Sequence, residues 1–135
     1  MSGSGKEVND RNGIVPWEIP CNYLLHKSMT KYDILKEALE KQGRGEMKAF
    51  GNSMLPLIES GSLLTFERRK TYSDGDIVLS RVRGRWIDAH KIVAVDARRG
   101  FLIANNHGYQ NGWTHQVFGK VVRAVFPGGT VRNFA

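Results

Sequence analysis

The sequence predicts a mainly β fold, an antiparallel rolled sheet or barrel preceded by one short helix. Only one stretch carries an apolar stripe with the 3.6-residue period of a helix, and it lies before residue 45. After residue 45, short apolar runs with strand character alternate with turns rich in Gly and Asp. Because these connections are as short as those of hairpins, the strands are expected to pair in the antiparallel sense.

The predicted helix spans about residues 31–42. Thr30 is a good N-cap residue, and Asp33 stands three positions later, where an acidic side chain completes a start of the capping-box type. Gly43 is expected to end the helix, because glycine readily adopts the left-handed conformation that follows a last turn. The stripe expected to face the sheet consists of Ile34, Leu35, Ala38 and Leu39.

Six strands are predicted from apolar runs of strand length. They are Met47–Phe50, Leu63–Phe66, Asp76–Val82, Trp86–Val95, Phe101–Ile103 and Val117–Phe126. Three connections carry typical turn residues: "SDGD" at 73–76, "VRGR" at 82–85 and "DARRG" at 96–100. The stretch "NGWTH" at 111–115 is interpreted as a further turn, with Trp113 as a lid or core residue of the barrel.

The length of the chain and its composition predict one domain with two preceding segments. A chain of 135 residues can build one core, and 41% hydrophobic with 24% charged residues is typical of a folded protein. Residues 1–13 are polar and are expected to form a flexible arm. Two prolines within residues 14–29 predict an extended anchor segment, and residues 30–135 are expected to form the domain.

The basic charge of the chain raises the question of a nucleic-acid ligand. Lys and Arg number 20 against 13 Asp and Glu, which gives a formal net charge of +7. The basic residues are scattered, however, so nucleic acid is not expected as the main ligand. A nucleic-acid-binding barrel stays as a third reading, and strong salt dependence of binding would support it. It would use Arg81, Arg83, Arg85, Arg98 and Arg99.

The sequence also indicates in which cellular compartment the protein is expected. No apolar run approaches the about 18 to 20 residues of a membrane helix, and residues 1–13 lack the apolar centre of a signal peptide. The single cysteine, Cys21, excludes a disulfide within the chain and fits a reducing compartment. A soluble cytoplasmic protein is therefore expected.

Ser53, within "FGNSMLPLIESG" at 50–61, is a candidate nucleophile. It follows a predicted strand end, stands two positions after Gly51 and precedes a Pro-containing turn. At such a place a hydroxyl and neighbouring main-chain N–H groups can face solvent together, as a nucleophile with an oxyanion site requires. Taken alone, the same pattern is also typical of an ordinary turn.

The order of the motifs resembles that of the signal-peptidase and LexA-like superfamily of serine peptidases. After the helix come "GNSMLPLIESGSLLTF", "DGDIVLSRV", "DAHKIVAV" and "VFGKVV", from Ile34 to about Val125. In that superfamily a Gly-x-Ser-Met-x-Pro box carries the nucleophile, so the resemblance implies this role for Ser53. It also implies a LexA/signal-peptidase-like rolled antiparallel β-barrel. Ser62 stands where an aspartate is common, which touches a turn rather than the chemistry.

The resemblance further implies a general base in "AHKIV" at 89–93. Some members of the superfamily use a lysine and others a histidine at this position, and His90 occupies it here, followed by Lys91. Neighbouring strand residues point to opposite faces, so only one of the two can point at Ser53. His90 is preferred because an imidazole accepts a proton near neutral pH, and Lys91 is kept as the alternative base.

A third member of the site is less well defined by the sequence. Histidine-type relatives often carry an aspartate beyond the base strand, and Asn105 or Asn106 replaces it here. An asparagine can orient a histidine by hydrogen bonding, but it cannot stabilise the imidazolium by charge, so a dyad or a weak triad is expected. His107 and His115 do not have the usual ligand spacing with other residues, and neither metal nor cofactor is expected.

These residues predict a soluble serine endopeptidase-like protein of bacterial or phage type that cleaves a protein segment through an acyl-enzyme on Ser53. The main-chain N–H of Ser53, with that of Gly51 or Asn52, would stabilise the oxyanion. The alternative is a catalytically inactive LexA-like barrel that serves as a structural or protein-binding component. The expected partner is a protein or peptide substrate, with a homo-oligomer or a larger assembly as further options.

Overall fold

The computed structural model describes residues 29–134. The predicted arm at 1–13, Cys21 and all of the anchor segment at 14–29 except Met29 lie outside the described residues. Within residues 29–134, no helix is both long and apolar enough to cross a membrane.

The helix α1 is Lys31–Gln42 and ends as predicted. Gly43 has a φ of +76°, and its N–H donates a 3.0 Å hydrogen bond to the Leu39 carbonyl. Leu35 and Leu39, one turn apart, are buried against the sheet. The prediction that Ile34 belongs to the buried stripe is wrong, because that side chain is 57% exposed. Ile34 precedes Leu35 by one residue and is therefore rotated about 100° away from the packed face.

Eight strands follow the helix, all paired in the antiparallel sense. The sheet order is β1-β2-β7-β3-β4-β5-β6, with β8 paired to β7 alone, so β1, β6 and β8 are edge strands among the described residues. The mainly β fold with a rolled antiparallel sheet is thus confirmed. The strands are β1 (Arg44–Ala49), β2 (Ser62–Glu67), β3 (Ile77–Val82), β4 (Arg85–Asp96), β5 (Gly100–Ala104), β6 (Gln110–Thr114), β7 (Val117–Val125) and β8 (Val131–Asn133).

The stretch predicted as a turn at 111–115 is mostly strand β6, so that prediction is wrong. Asn111 and Gly112 have low strand propensity, but pairing with β5 overrides it, with Trp113 opposite Leu102. Gly112 also suits this position because its φ is +131°, which other residues rarely adopt, and an added Cβ would lie 3.2 Å from the Val82 side chain of β3. Trp113 itself is half-buried under the Arg99 guanidinium, 4.1 Å from its ring centroid.

The main core lies between α1 and the part of the sheet formed by β1, β2 and β7. Leu64, Phe66 and Val121 are fully buried in it. Met54 and Ile58, which follow β1 in the chain, belong to the same core. The segment around Ser53 is therefore anchored by apolar burial rather than lying loosely on the surface.

Glu67, at the end of β2, lies between two arginines. Its carboxylate accepts hydrogen bonds from Arg69 and from Arg44, the latter at 2.6 Å. The hydrogen bond from Arg69 is the largest influence that lowers the pKa of Glu67, with the charges of Arg69 and Arg44 acting in the same direction. The carboxylate therefore stays ionised to a lower pH in the folded protein than in the unfolded chain.

Candidate active site

Ser53 lies in a tight turn between the edge strand β1 and β2. Gly51 begins this turn with a φ of +108°, a conformation that side chains other than glycine rarely adopt. The two ends of the turn are tied together, since the Gly51 N–H donates to the Ser60 hydroxyl at 2.9 Å. The Gly61 N–H donates to the Ala49 carbonyl at 2.7 Å. The glycine before Ser53 is thus required by the backbone, as the motif suggested.

The residues after Ser53 form a turn that places two apolar side chains in the core. The N–H groups of Leu57 and Ile58 both donate to the Met54 carbonyl, at 2.8 and 3.1 Å. Met54 and Ile58 are each 4% exposed, whereas Ser53 is half-buried at the rim. Burial of the two apolar side chains therefore fixes the position of the hydroxyl that precedes them.

The main-chain amides around Ser53 differ in what they bind. The N–H of Gly51 is occupied by the Ser60 hydroxyl. The N–H groups of Asn52 and Ser53 have no hydrogen-bond acceptor among residues 29–134, and the Ser53 hydroxyl has no partner there either. Of the three amides predicted as oxyanion donors, two are therefore open to an incoming oxygen in this conformation.

The turn between β5 and β6 holds the Ser53 turn from the other side. The N–H of Asn106 donates to the Ser53 carbonyl at 2.9 Å, and its side-chain amide donates to the Leu55 carbonyl at 2.8 Å. His107 uses Nε2 to donate to the Asn52 carbonyl at 3.0 Å. Three consecutive polar contacts thus bridge two turns that are far apart in the sequence.

Asn105 shapes this second turn. Its side-chain oxygen accepts the N–H groups of His107 and Tyr109, at 2.8 and 2.9 Å. Its own N–H donates to the Tyr109 carbonyl at 2.9 Å. The hydrogen bonds of Asn105 and Asn106 therefore hold turns, and the orienting role expected for one of them toward His90 stays a prediction.

Strand β4 brings the candidate base to the same end of the sheet. Asp88 and Ala89, immediately before His90, line a cavity of about 10 Å³ together with Ser53. That volume is about the size of one water molecule. The half-buried His90 ring donates from Nδ1 to the Asp88 carbonyl at 2.7 Å. Because that carbonyl can only accept, Nδ1 must carry the proton.

The structure does not join all the predicted residues directly. No hydrogen bond connects Ser53 with His90 among the described residues, and their pairing stays a prediction; catalytic hydrogen bonds are often long before substrate binds. Lys91 is half-buried, pairs with Ala104 on β5, and remains the alternative base. The three histidines of the described segment donate to three different carbonyls, and no three metal-binding side chains converge there.

Sequence reasoning missed three contributors to this site. One is Asp88, which lines the same cavity as Ser53 although no local sequence pattern joins the two residues. A second is Ser60, whose hydroxyl accepts the Gly51 N–H and for which the sequence predicts no role. The third is His107, which the sequence brings up only as a metal ligand and which instead ties its turn to the Asn52 carbonyl.

A much larger groove lies elsewhere on the domain, with a volume of about 650 Å³. It contains none of the predicted site residues. Its walls come from the end of α1, the β2–β3 connection and the strands β4, β5 and β7. They include Leu39, Arg68, Lys70, Tyr72, Phe101 and Phe118.

Comparison with known proteins supports the reading of the motifs. A family model described as Peptidase S24-like matches residues 22–122, which covers most of the chain and includes Ser53, His90 and both asparagines. No curated protein matches the sequence. The family match agrees with the rolled antiparallel fold and confirms the resemblance to the LexA and signal-peptidase superfamily. This chain therefore belongs to the Peptidase S24-like family.

Proposed function

We propose that this protein is a serine endopeptidase in which Ser53 is the nucleophile and His90 the general base. One observation carries the proposal: the Ser53 turn and the residues immediately before His90 line the same small cavity. A serine hydroxyl needs such a neighbouring base, because it is a weak nucleophile while protonated. The open N–H groups of Asn52 and Ser53 supply donors beside the hydroxyl.

In the proposed reaction, the Ser53 hydroxyl proton passes to Nε2 of His90 as Oγ attacks the scissile carbonyl carbon. The resulting oxyanion accepts hydrogen bonds from the amides of Asn52 and Ser53. The C–N bond then breaks, the leaving amine takes the proton from Nε2, and an ester to Ser53 remains. Water, deprotonated by His90, hydrolyses this ester and regenerates the hydroxyl.

The edge strand β1 offers a place for the substrate. It runs directly into the Ser53 turn and, among the described strands, pairs only with β2. An extended peptide can add to such an edge through main-chain hydrogen bonds. Since the cavity beside Ser53 holds only about 10 Å³, we expect a small side chain, such as alanine or glycine, next to the scissile bond.

A serine-reactive organophosphorus probe tests the assignment directly. The wild type should be labelled on the peptide that contains Ser53, and Ser53→Ala should not be labelled. His90→Ala should slow labelling by about 100-fold or more, the usual contribution of a general base. The matched control is Ser73→Ala, which removes an exposed serine hydroxyl outside the site and should behave as the wild type. Equal labelling of wild type and Ser53→Ala would overturn the proposal.

A second function, peptide binding without cleavage, is favoured by the missing hydrogen bond between Ser53 and His90. Under this function the same edge strand would hold a partner segment, and the protein would be a binding component. The probe would then fail to label the folded wild type, while Ala-containing extended peptides would still shift the NMR signals of β1. Labelling that depends on both Ser53 and His90 would exclude it.

A further inference from the structure

The pairing of β4 with β3 is interrupted immediately before His90. Val78 lies opposite His90, and Ser80 lies opposite Ile87, so two residues of β4 face the single residue Leu79. This is a β-bulge, which bends the strand and leaves a residue out of the ladder. Strand β4 thus has one extra residue here, and neither Asp88 nor Ala89 has a partner in the register with β5. A main-chain carbonyl at this position is thus available for a bond outside the sheet.

The ring of His90 makes that bond. Its Nδ1 lies 2.7 Å from the Asp88 carbonyl oxygen, a short distance for an N–H···O contact. A carbonyl oxygen has no proton to give, so the ring must donate from Nδ1. In the neutral imidazole the proton then sits on Nδ1, and Nε2 carries the lone pair. Free imidazole side chains favour the opposite tautomer, so the bulge selects the less common one.

From this geometry we infer that the Asp88 main-chain carbonyl is the positioning group that holds His90 with Nε2 free to accept a proton. This inference rests on the proposed function, since only a base needs an open Nε2. The carbonyl thereby takes the orienting part of the acid in a catalytic triad. It is a dipole and not a charge, so it orients the ring while stabilising the imidazolium less than a carboxylate would.

The two asparagines predicted to orient His90 make their side-chain hydrogen bonds to other groups. The Asn105 side-chain oxygen accepts two N–H groups of its own turn, and the Asn106 amide donates to the Leu55 carbonyl. Asp88 also lines the Ser53 cavity, and its main-chain carbonyl accepts the hydrogen bond from the His90 ring. The bulge thus replaces a distant side chain with the strand's own backbone, two residues before the base.

The tautomers can be read by NMR of the full-length protein labelled with ¹⁵N-histidine, at a pH where the imidazoles are neutral. A protonated ring nitrogen resonates far upfield of an unprotonated one. We expect the Nδ1–H form for His90, assigned by the loss of its signals in His90→Gln. His107 and His115 are internal controls, because each donates from Nε2 to a carbonyl and should show the Nε2–H form.

The result that overturns the inference is an Nε2–H tautomer for His90. That result would leave the proposed function testable by the probe, since labelling that needs Ser53 and His90 is a separate readout. Conversely, an Nδ1–H tautomer without labelling would contradict the peptidase while leaving the ring geometry intact, and the positioning role would fall with the function it serves.

A backbone change tests the positioning role itself. Replacing Ala89 by its α-hydroxy acid through semisynthesis turns the Asp88 carbonyl into an ester carbonyl, a weaker acceptor. We expect a mixture of His90 tautomers and about fivefold slower labelling of Ser53. The same replacement at Ala97, an exposed residue after β4, is the matched control and should change neither. Unchanged tautomer and labelling in the Ala89 ester would overturn the role of the carbonyl.

Discussion

The N–H of Asn106 donates a 2.9 Å hydrogen bond to the carbonyl of Ser53, while the Asn106 side chain donates to Leu55 two residues further on. One residue of the β5–β6 turn thus holds the Ser53 turn at two points. The backbone bond survives any substitution at position 106 except proline, but the side-chain bond does not. Substitutions of Asn106 can therefore test what its side-chain hydrogen bond contributes to the Ser53 turn while the main-chain hydrogen bond to Ser53 is kept.

Asn106→Ala should lower the free energy of unfolding by about 1 kcal/mol, because it removes one hydrogen bond to a main-chain carbonyl. Labelling of Ser53 by the organophosphorus probe should slow as the turn loosens. Urea unfolding and the labelling rate measure the two effects. Asn133→Ala, at an exposed position of β8, is the matched control and should change neither. Equal stability of the two variants would contradict the supporting role.

Gly51→Ala should destabilise the protein by about 1 to 2 kcal/mol through backbone strain alone. At a φ of +108° a side chain is disfavoured, yet an added Cβ would meet no atom within 4 Å. Gly128→Ala is a close control, since its added Cβ also meets nothing within 4 Å and no positive φ is recorded there. Urea unfolding should show a loss for Gly51→Ala only, and equal losses would refute the strain.

Met54→Ala should cost about 2 to 5 kcal/mol, the range for truncating a fully packed side chain. Met54 is 4% exposed and follows Ser53 directly, so its loss should also release the hydroxyl from its position. Leu55→Ala, at the half-buried neighbouring position, should cost clearly less. Thermal or urea unfolding ranks the two variants, and the reverse order would show that Met54 does not anchor the turn.

The lowered pKa of Glu67 predicts that the free energy of unfolding decreases as the pH falls through that pKa. Its folded pKa is lowered by Arg69 and Arg44, so the ionised form stabilises the fold at pH values above the pKa of the unfolded chain. This contribution is lost as the pH falls through the lowered folded pKa. Glu67→Gln should therefore reduce stability at about pH 7, by at most about 1 kcal/mol because the pair is solvent-screened, and the difference should vanish near about pH 2.

Urea unfolding of both proteins across this pH range provides the measurement. The matched control is Asp74→Asn, which removes an exposed carboxylate without a salt bridge among residues 29–134 and should leave the stability at about pH 7 unchanged. A Glu67→Gln effect that grew as the pH fell would reverse the assigned sign.

The fold could be predicted because its signals are local. Six of the eight strands correspond to apolar runs between turn residues, and Gly43 ends the helix where its conformational freedom suggested. The strand at 110–114 was missed because Asn111 and Gly112 have low strand propensity and are held in β6 by pairing with β5. Ile34 is exposed because the face of α1 that packs on the sheet is centred on Leu35 and Leu39. Four apolar residues along the helix do not define the centre of that face closely enough to predict this.

In the candidate site, too, the features with local sequence signals could be predicted and those that depend on distant contacts could not. The motif order predicts that Ser53 and His90 lie near each other; Asp88 and Ala89, just before His90, line a cavity with Ser53, and the pairing itself stays a prediction. The bulge before His90 was not predictable, because it is defined by the register with β3 and not by the residues of β4 alone. The contacts from Asn106 and His107 join segments distant in sequence, and no local pattern carries that information.

The side chain of Asn106 reaches a carbonyl 51 residues earlier in the chain, and that of His107 reaches one 55 residues earlier. During synthesis, the Ser53 turn therefore leaves the ribosome long before its polar supports exist. Closing such a long loop is entropically costly and waits for the intervening strands to pair. The Ser53 turn is thus completed late in folding, so that a nascent chain cut short before residue 106 would carry the serine without the contacts that hold it in place.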